Sequence, residues 1–284
     1  AASPPRPVEW RRISIAVIEP GPLRAALRVE REGAGSRFVE TWSLAAGASH
    51  LEATVVIDWR TPATLCKLAF PLAARSSDLL CDLGIGVARR PLASERLWEV
   101  PAQRWTALVD EEQGFGVALC TDGRSGWDHP DPGTVRLTLV HAPGVGRRFR
   151  HQARQDFGAH RLRLALAGLA AAELAAGAAA LADRFVAPPL AYRLEPDLAA
   201  TRPGAPTAAG LFDLGAEGAA LQALKKGEEG ERLVVRLRET AGRRQRLEVR
   251  SSATLLAVEE LDGCERPRDA RLVGDLPVQV GGML

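Results

Sequence analysis

The chain has 284 residues, 46% of them hydrophobic and 25% charged, with a formal net charge of +2. That is ordinary for a globular protein and gives no electrostatic reason to expect nucleic acid or a membrane surface as partner. Its length allows two domains or one large β domain.

In chain order, "AASPPRP" opens with linker-like composition, and the one methionine is Met283, so the sequence predicts a piece of something longer. No secretory signal opens the chain, and no apolar run reaches transmembrane length. From Glu99 to His129 the pattern reads strand, surface loop, strand, then a Gly/Asp-rich loop ending in Trp127, Asp128 and His129. The glycines of "GFGVA" at 114–118 begin a buried strand, not a nucleotide loop, since no helix follows. "VRLTLV" places Val135, Leu137 and Leu139 on one face, with Arg136 and Thr138 on the other. "GRRFRHQAR" at 146–154 reads as a mobile, solvated basic loop. "HRLRLAL" alternates Leu162, Leu164 and Leu166 with Arg161, Arg163 and Ala165.

One helix is predicted, over 169–185, rich in Ala and Leu, although Gly177 costs about 1 kcal/mol there. Pro188 and Pro189 end it and set a domain boundary near 188. "RPGAP" at 202–206 is a surface loop. "ERLVVRLRETAGRRQRLEVR" predicts a hairpin turning at "TAG", with Leu233, Val235 and Leu237 on one strand and Leu247 and Val249 on the other. The reading is mainly β: a large antiparallel sandwich over 8–188, a smaller β-sandwich over 189–284, and one helix near the boundary.

Chemical motifs are sparse. Cys66, Cys81, Cys120 and Cys264 are far apart with no CxxC pairing, and are read as buried free thiols. None of the five histidines has a zinc spacing; His151 and His160, with Asp156 between them, could meet at a metal only if the loop folded back. There is no GxSxG and no P-loop. Asp122, Asp128 and Asp131 lie close in sequence, and a solvated Asp/Gly turn is their simplest role. Trp127 adds an alternative: an exposed indole beside Asp128 and Arg124 would suit a sugar ring. No reaction follows from these residues.

An ordered series of strings is more specific. "EPGPLRAALRVER", "VVIDWRTPATLCKLAFPL", "EVPAQRWTALVDEEQGFGVALCTDGRSGWD", "VRLTLVHAP", "DFGAHRLRLAL" and "LQALKKGEEGERLVVRLRETAGRR" together resemble the C-terminal β region of glycoside hydrolase family 38, the α-mannosidases, especially bacterial ones. The likeness runs from about Val8 to Arg268. It implies a large supersandwich of mutarotase-like fold and a smaller β-sandwich. It also implies that the zinc ligands and the Asp nucleophile sit in an N-terminal barrel outside this chain. On that reading the chain needs no cofactor of its own. Its partner is the parent's catalytic barrel, with mannose-containing glycans as a further partner, and its setting is cytoplasmic.

The resemblance marks Arg124, Trp127, Asp128 and His141 as carbohydrate-binding or rim residues. His141 stands where the family usually has Arg. Asp156, Gly158 and His160 match an Asp-x-Gly-x-His pattern, read as a turn that locks the next strand. A free-standing carbohydrate-binding β-sandwich is the alternative, resting on Trp127. An epimerase-like enzyme on the same fold would need a His and a Glu converging on a concave sheet face, and no spacing supplies them.

Overall fold

The computed structural model describes residues 9–94, 97–193, 210–213, 218–228, 230–242, 244–247, 249–252, 257–268 and 278–280. The chain divides into two compact units, Ala1–Ala187 and Pro188–Leu284.

The first unit holds thirteen strands and one α-helix. The strands are β1 (Arg11–Pro20), β2 (Arg24–Gly33), β3 (Ser36–Ala45), β4 (Leu51–Trp59), β5 (Thr64–Pro71), β6 (Asp78–Asp82), β7 (Val87–Pro91), β8 (Val100–Pro101), β9 (Trp105–Asp110), β10 (Phe115–Thr121), β11 (Gly126–Asp131), β12 (Thr134–Ala142) and β13 (Gly158–Ala170). The helix α1 spans Leu174–Val186. One sheet runs β1-β2-β3-β4-β13-β10-β9-β6-β7 and the other β5-β12-β11-β8, and every pairing is antiparallel.

Period-two alternation builds the space between the sheets. Val135, Leu137 and Leu139 of β12 point inward as the sequence predicts, meeting Val55, Ile57, Leu108, Leu119, Leu162 and Leu164 of the larger sheet in one apolar core. The third leucine of the "HRLRLAL" pattern, Leu166, is half-buried, and Ala165 faces the other way into a second core. There α1 covers the back of β9, β10 and β13. Its Leu174, Ala178, Leu181, Ala182 and Phe185 lie on Ala107, Ala118, Ala165 and Ala167, small residues that let a helix come close. A Cβ on Gly116 would stand 2.5 Å from Leu174 Cδ2 and 2.7 Å from the Leu108 carbonyl oxygen, so only glycine admits the helix at this height. Arg104 ties the layers together, donating to Asp183 of the helix and, at 3.4 Å, to the buried Asp82. Arg163 lies over the Phe185 ring, 4.4 Å from its centroid.

The helix starts later than the sequence predicts. Leu169 and Ala170 still pair with Gly116 and Phe115, and Ala171–Glu173 form one 3-10 turn before α1. Their backbone groups are already held by the sheet, which overrides the helix propensity of alanine. The basic run is likewise no open loop, since Arg147–Gln152 form a 3-10 segment.

In the second unit, β15 (Ala219–Lys226) and β16 (Leu233–Glu239) form a hairpin, β14 (Phe212–Asp213) pairs β18 (Arg250–Ser251), and β17 (Gln245–Leu247) pairs β19 (Val278–Val280). Among the described residues β16 pairs with β15 and β17 with β19, and no pairing across the predicted "TAG" turn is found. β16 turns back onto the strand before it, closed by the Gly227 N–H to Arg232 carbonyl bond at 2.8 Å and by Lys226 paired with Glu231 at 2.6 Å. Buried Val234 marks the covered face, while Leu233 is exposed. "RPGAP" and Val249's neighbours at 248 and 253–256 lie outside the described residues. No described helix is long and apolar enough to cross a membrane.

Three of the cysteines are buried free thiols; Cys264 is exposed, contrary to expectation. Burial pushes the thiol of Cys66 up to about 11 and that of Cys120 up to about 12, and raises that of Cys81. Thiolate is the reactive form. At pH 8 a disulfide reagent should therefore titrate Cys264 quickly, and the other three only after urea is added. Fast reaction of a second thiol in the folded chain would contradict this burial.

Candidate functional site

The stretch from Gly126 to Asp131 is a strand, not a loop, and this decides the fate of its side chains. Trp127 pairs with Leu137 and Val100 and shares their inward direction, so its indole is fully buried between the sheets. The expected exposed platform for a sugar ring is absent at this residue. The next residue points the other way. Asp128 Oδ1 accepts from Arg136 Nε at 2.6 Å, and Oδ2 accepts from Arg136 Nη2 at 3.1 Å and from Lys67 Nζ at 2.6 Å. Lys67 also donates to Glu99 at 2.8 Å, and Glu99 accepts from the Thr138 hydroxyl. These residues come from β5, β11, β12 and the approach to β8, so the network staples the smaller sheet across its outer face. Asp128 is 3% exposed and its two oxygens carry three charge-assisted bonds, which leaves it little capacity for a ligand.

His129 is buried as well, and its ring nitrogens face the carbonyl oxygens of Thr134 at 2.9 Å and Ser76 at 3.0 Å. Asp131 caps its own turn, accepting from the Gly133 N–H at 3.0 Å, which holds its carboxyl below the usual range. Asp122 accepts from the Arg163 N–H at 2.9 Å. The three carboxylates thus serve different backbone or side-chain donors, and none shares a donor with another.

Arg124 and His141 do come together. They line an open cleft of about 280 Å³ with Gly126, Thr138, Asp156 and His160. Asp156 adopts a left-handed conformation (φ 61°), followed by Gly158 at φ 128°. The Asp156 carboxylate accepts from the His141 N–H at 2.8 Å, and its carbonyl meets His160 Nε2 at 2.6 Å. Arg124 Nε donates to the Leu139 carbonyl at 2.7 Å, and Nη2 lies 3.2 Å from His160 Nδ1. A guanidinium cannot accept, so Nδ1 is the acceptor and the His160 proton sits on Nε2, donated to Asp156. The Asp-x-Gly-x-His pattern is thus a clip between the end of β12 and the start of β13, with Arg124 as its third arm.

Asp156 is the one carboxylate lining this cleft. Retaining glycoside hydrolysis uses two carboxyl groups about 5–5.5 Å apart, and the described lining of this cleft supplies one. A larger hollow of about 690 Å³ at the β2–β3 turn holds Arg11, Glu32 and Arg37, but Arg11 already pairs with Glu32, and Arg37 with Glu30. Among the described residues no three His, Cys, Asp or Glu side chains are placed to hold a metal.

The residues that sequence reasoning missed are Lys67, Glu99 and Arg136. A signal existed: Lys67 is one of three lysines in a chain whose positive charge is otherwise arginine.

Comparison with known proteins matches residues 3–145 to the glycosyl hydrolases family 38 C-terminal domain, and 218–283 to the family 38 C-terminal beta sandwich domain. Human alpha-mannosidase 2C1 is 27% identical over 246 residues, which is 84% of this chain and 22% of that protein. Two solved structures from Enterococcus faecalis share the fold. An alpha-mannosidase gives a TM-score of 0.72 at 14% identity over 92% of this chain and 33% of its own. A family 38 protein gives 0.73 at 15% identity over 92% and 34%. The chain thus spans about a fifth of its curated relative and a third of these structures. It belongs to glycosyl hydrolase family 38, and what it holds of that family is the C-terminal β region.

Proposed function

We propose that this chain is the non-catalytic β region of an α-mannosidase, a structural support and wall for a zinc-bearing barrel that hydrolyses terminal α-mannosides. One observation carries the reading: two of the polar groups singled out as site residues, Arg124 and Asp128, are spent on holding strands together. Asp128 staples the smaller sheet, Arg124 and Asp156 clip β12 to β13, and Trp127 is core. The named relatives supply the substrate class, α-mannosides, and the barrel supplies the chemistry. The alternative of a free-standing sugar-binding module loses its aromatic platform with Trp127.

The experiment compares the chain with its full-length parent on an aryl α-mannoside with added zinc. Turnover is expected from the parent and none from the chain. Activity that stays with the purified chain through successive columns would overturn the proposal.

A further inference from the structure

Between the end of β12 and the start of β13 the chain makes an excursion that concentrates positive charge. From Pro143 to Gln155 it reads "PGVGRRFRHQARQ", with four arginines and no carboxylate, +4 in a chain whose net charge is +2. The excursion is built from closed turns. The Phe149 N–H donates to the Gly146 carbonyl at 3.0 Å, that of Ala153 to Arg150 at 3.2 Å, that of Gln155 to Gln152 at 3.0 Å and that of Phe157 to Arg154 at 3.1 Å. Asp156 shuts its base by accepting from the His141 N–H. Arg148, Arg150, His151 and Arg154 are exposed. Among the described residues no carboxylate pairs with Arg148, Arg150 or Arg154. Elsewhere arginine is matched: Arg31 takes Glu40, Arg37 takes Glu30 and Arg136 takes Asp128. Like charges held together without counter-charges repel, and an external anion relieves that repulsion.

We infer that this excursion is an anchoring surface for a glycan that carries phosphate, with Arg148, Arg150 and Arg154 on the phosphate and Phe149 against the sugar. The inference rests on the reading of this chain as part of an α-mannosidase-like protein, which makes a glycan the molecule at hand. The charged groups are all guanidiniums, whose planar forks meet phosphate or carboxylate with two parallel hydrogen bonds. Phosphate suits a cluster better. A monoester carries close to two charges and three acceptor oxygens, so several arginines can share it. Phe149 is 47% exposed, and Arg148 Cζ lies 5.7 Å from its ring centroid, which puts an apolar face beside the charge. A sugar ring bearing an anionic group has the same two sides. Nucleic acid would call for a longer basic stripe with several stacking aromatics, and a lipid surface for more apolar anchors than one phenylalanine.

The test immobilises a mannan bearing phosphate monoesters beside the same mannan after phosphatase treatment, and measures binding of the 284-residue chain to each. The phosphorylated mannan should bind about tenfold or more tightly than the treated one, the scale of a charge-assisted contact. Arg148→Gln, Arg150→Gln and Arg154→Gln together should abolish that preference while leaving the urea midpoint unchanged, because these side chains hold no folded-state partner. Arg150→Gln alone gives a partial loss and serves if the triple variant fails to fold. Equal binding of the two mannans would overturn the inference, as would an undiminished preference in the variants. Tighter binding to a single-stranded DNA oligonucleotide or to phosphatidylserine vesicles, at equal phosphate concentration, would also overturn it and assign the surface to that polyanion. Hydrolysis of an aryl α-mannoside by the full-length parent is scored separately. Phosphate-selective binding without hydrolysis keeps the surface and sinks the proposed function, and hydrolysis without such binding does the reverse.

Discussion

Trp127→Ala lowers the unfolding free energy by about 3–5 kcal/mol, the range for deleting a large buried aromatic. The indole sits between the sheets with no exposed surface, in a core that includes Leu137 and Val100 on its neighbouring strands. Its removal leaves a void that two rigid sheets close poorly, so the cavity adds to the lost transfer energy. Urea titration of the chain is the measurement. Trp127→Phe keeps most of the apolar volume and should cost clearly less. An alanine variant with an unchanged midpoint would mean that Trp127 is not core, and would restore it as a ligand platform.

The second large effect is at Asp128. Alanine there leaves Lys67, whose side chain is 15% exposed, without its closest carboxylate, and leaves the Arg136 fork unpaired. Removing one member of a buried pair costs about 3–5 kcal/mol, and partial exposure of Arg136 brings the expectation to about 2–4 kcal/mol. Replacing the group as a whole should behave differently. Lys67→Met with Asp128→Leu removes both charges and should recover much of the loss, because no stranded ion remains. Thermal unfolding of the two single variants and the double variant decides the matter. Additive losses in the double variant would show that the staple is not a coupled unit.

The sequence made some of this legible and hid the rest for physical reasons. The alternation of Val135, Leu137 and Leu139 shows on the page because one face of β12 is wet and the other is core. The same logic failed one strand earlier. Trp127, Asp128 and His129 are buried in succession, and two of the three are polar. They are buried because their partners arrive from far away: Lys67 is 61 positions from Asp128, and Ser76 is 53 from His129. No local pattern announces such partners, so the strand resembles a solvated turn. The late start of α1 has a similar origin, since the sheet, through Gly116 and Phe115, holds residues whose propensity is helical. By contrast, "DFGAH" was readable as a turn because Asp and Gly tolerate the left-handed backbone it needs.

The order of the larger sheet also sets a timetable. β4 is joined to the rest of its sheet by β13, with Trp59 paired to Gly158, so the meander from β1 to β4 cannot be stitched in until roughly a hundred further residues exist. At translation rates of about 5–20 residues per second that is a delay of about 5–20 s. Through that interval the nascent meander carries bare aliphatic rows on a ribosome-bound chain. Such a chain is a natural client for a holding chaperone, and yield in the cell should respond to synthesis speed as well as to stability.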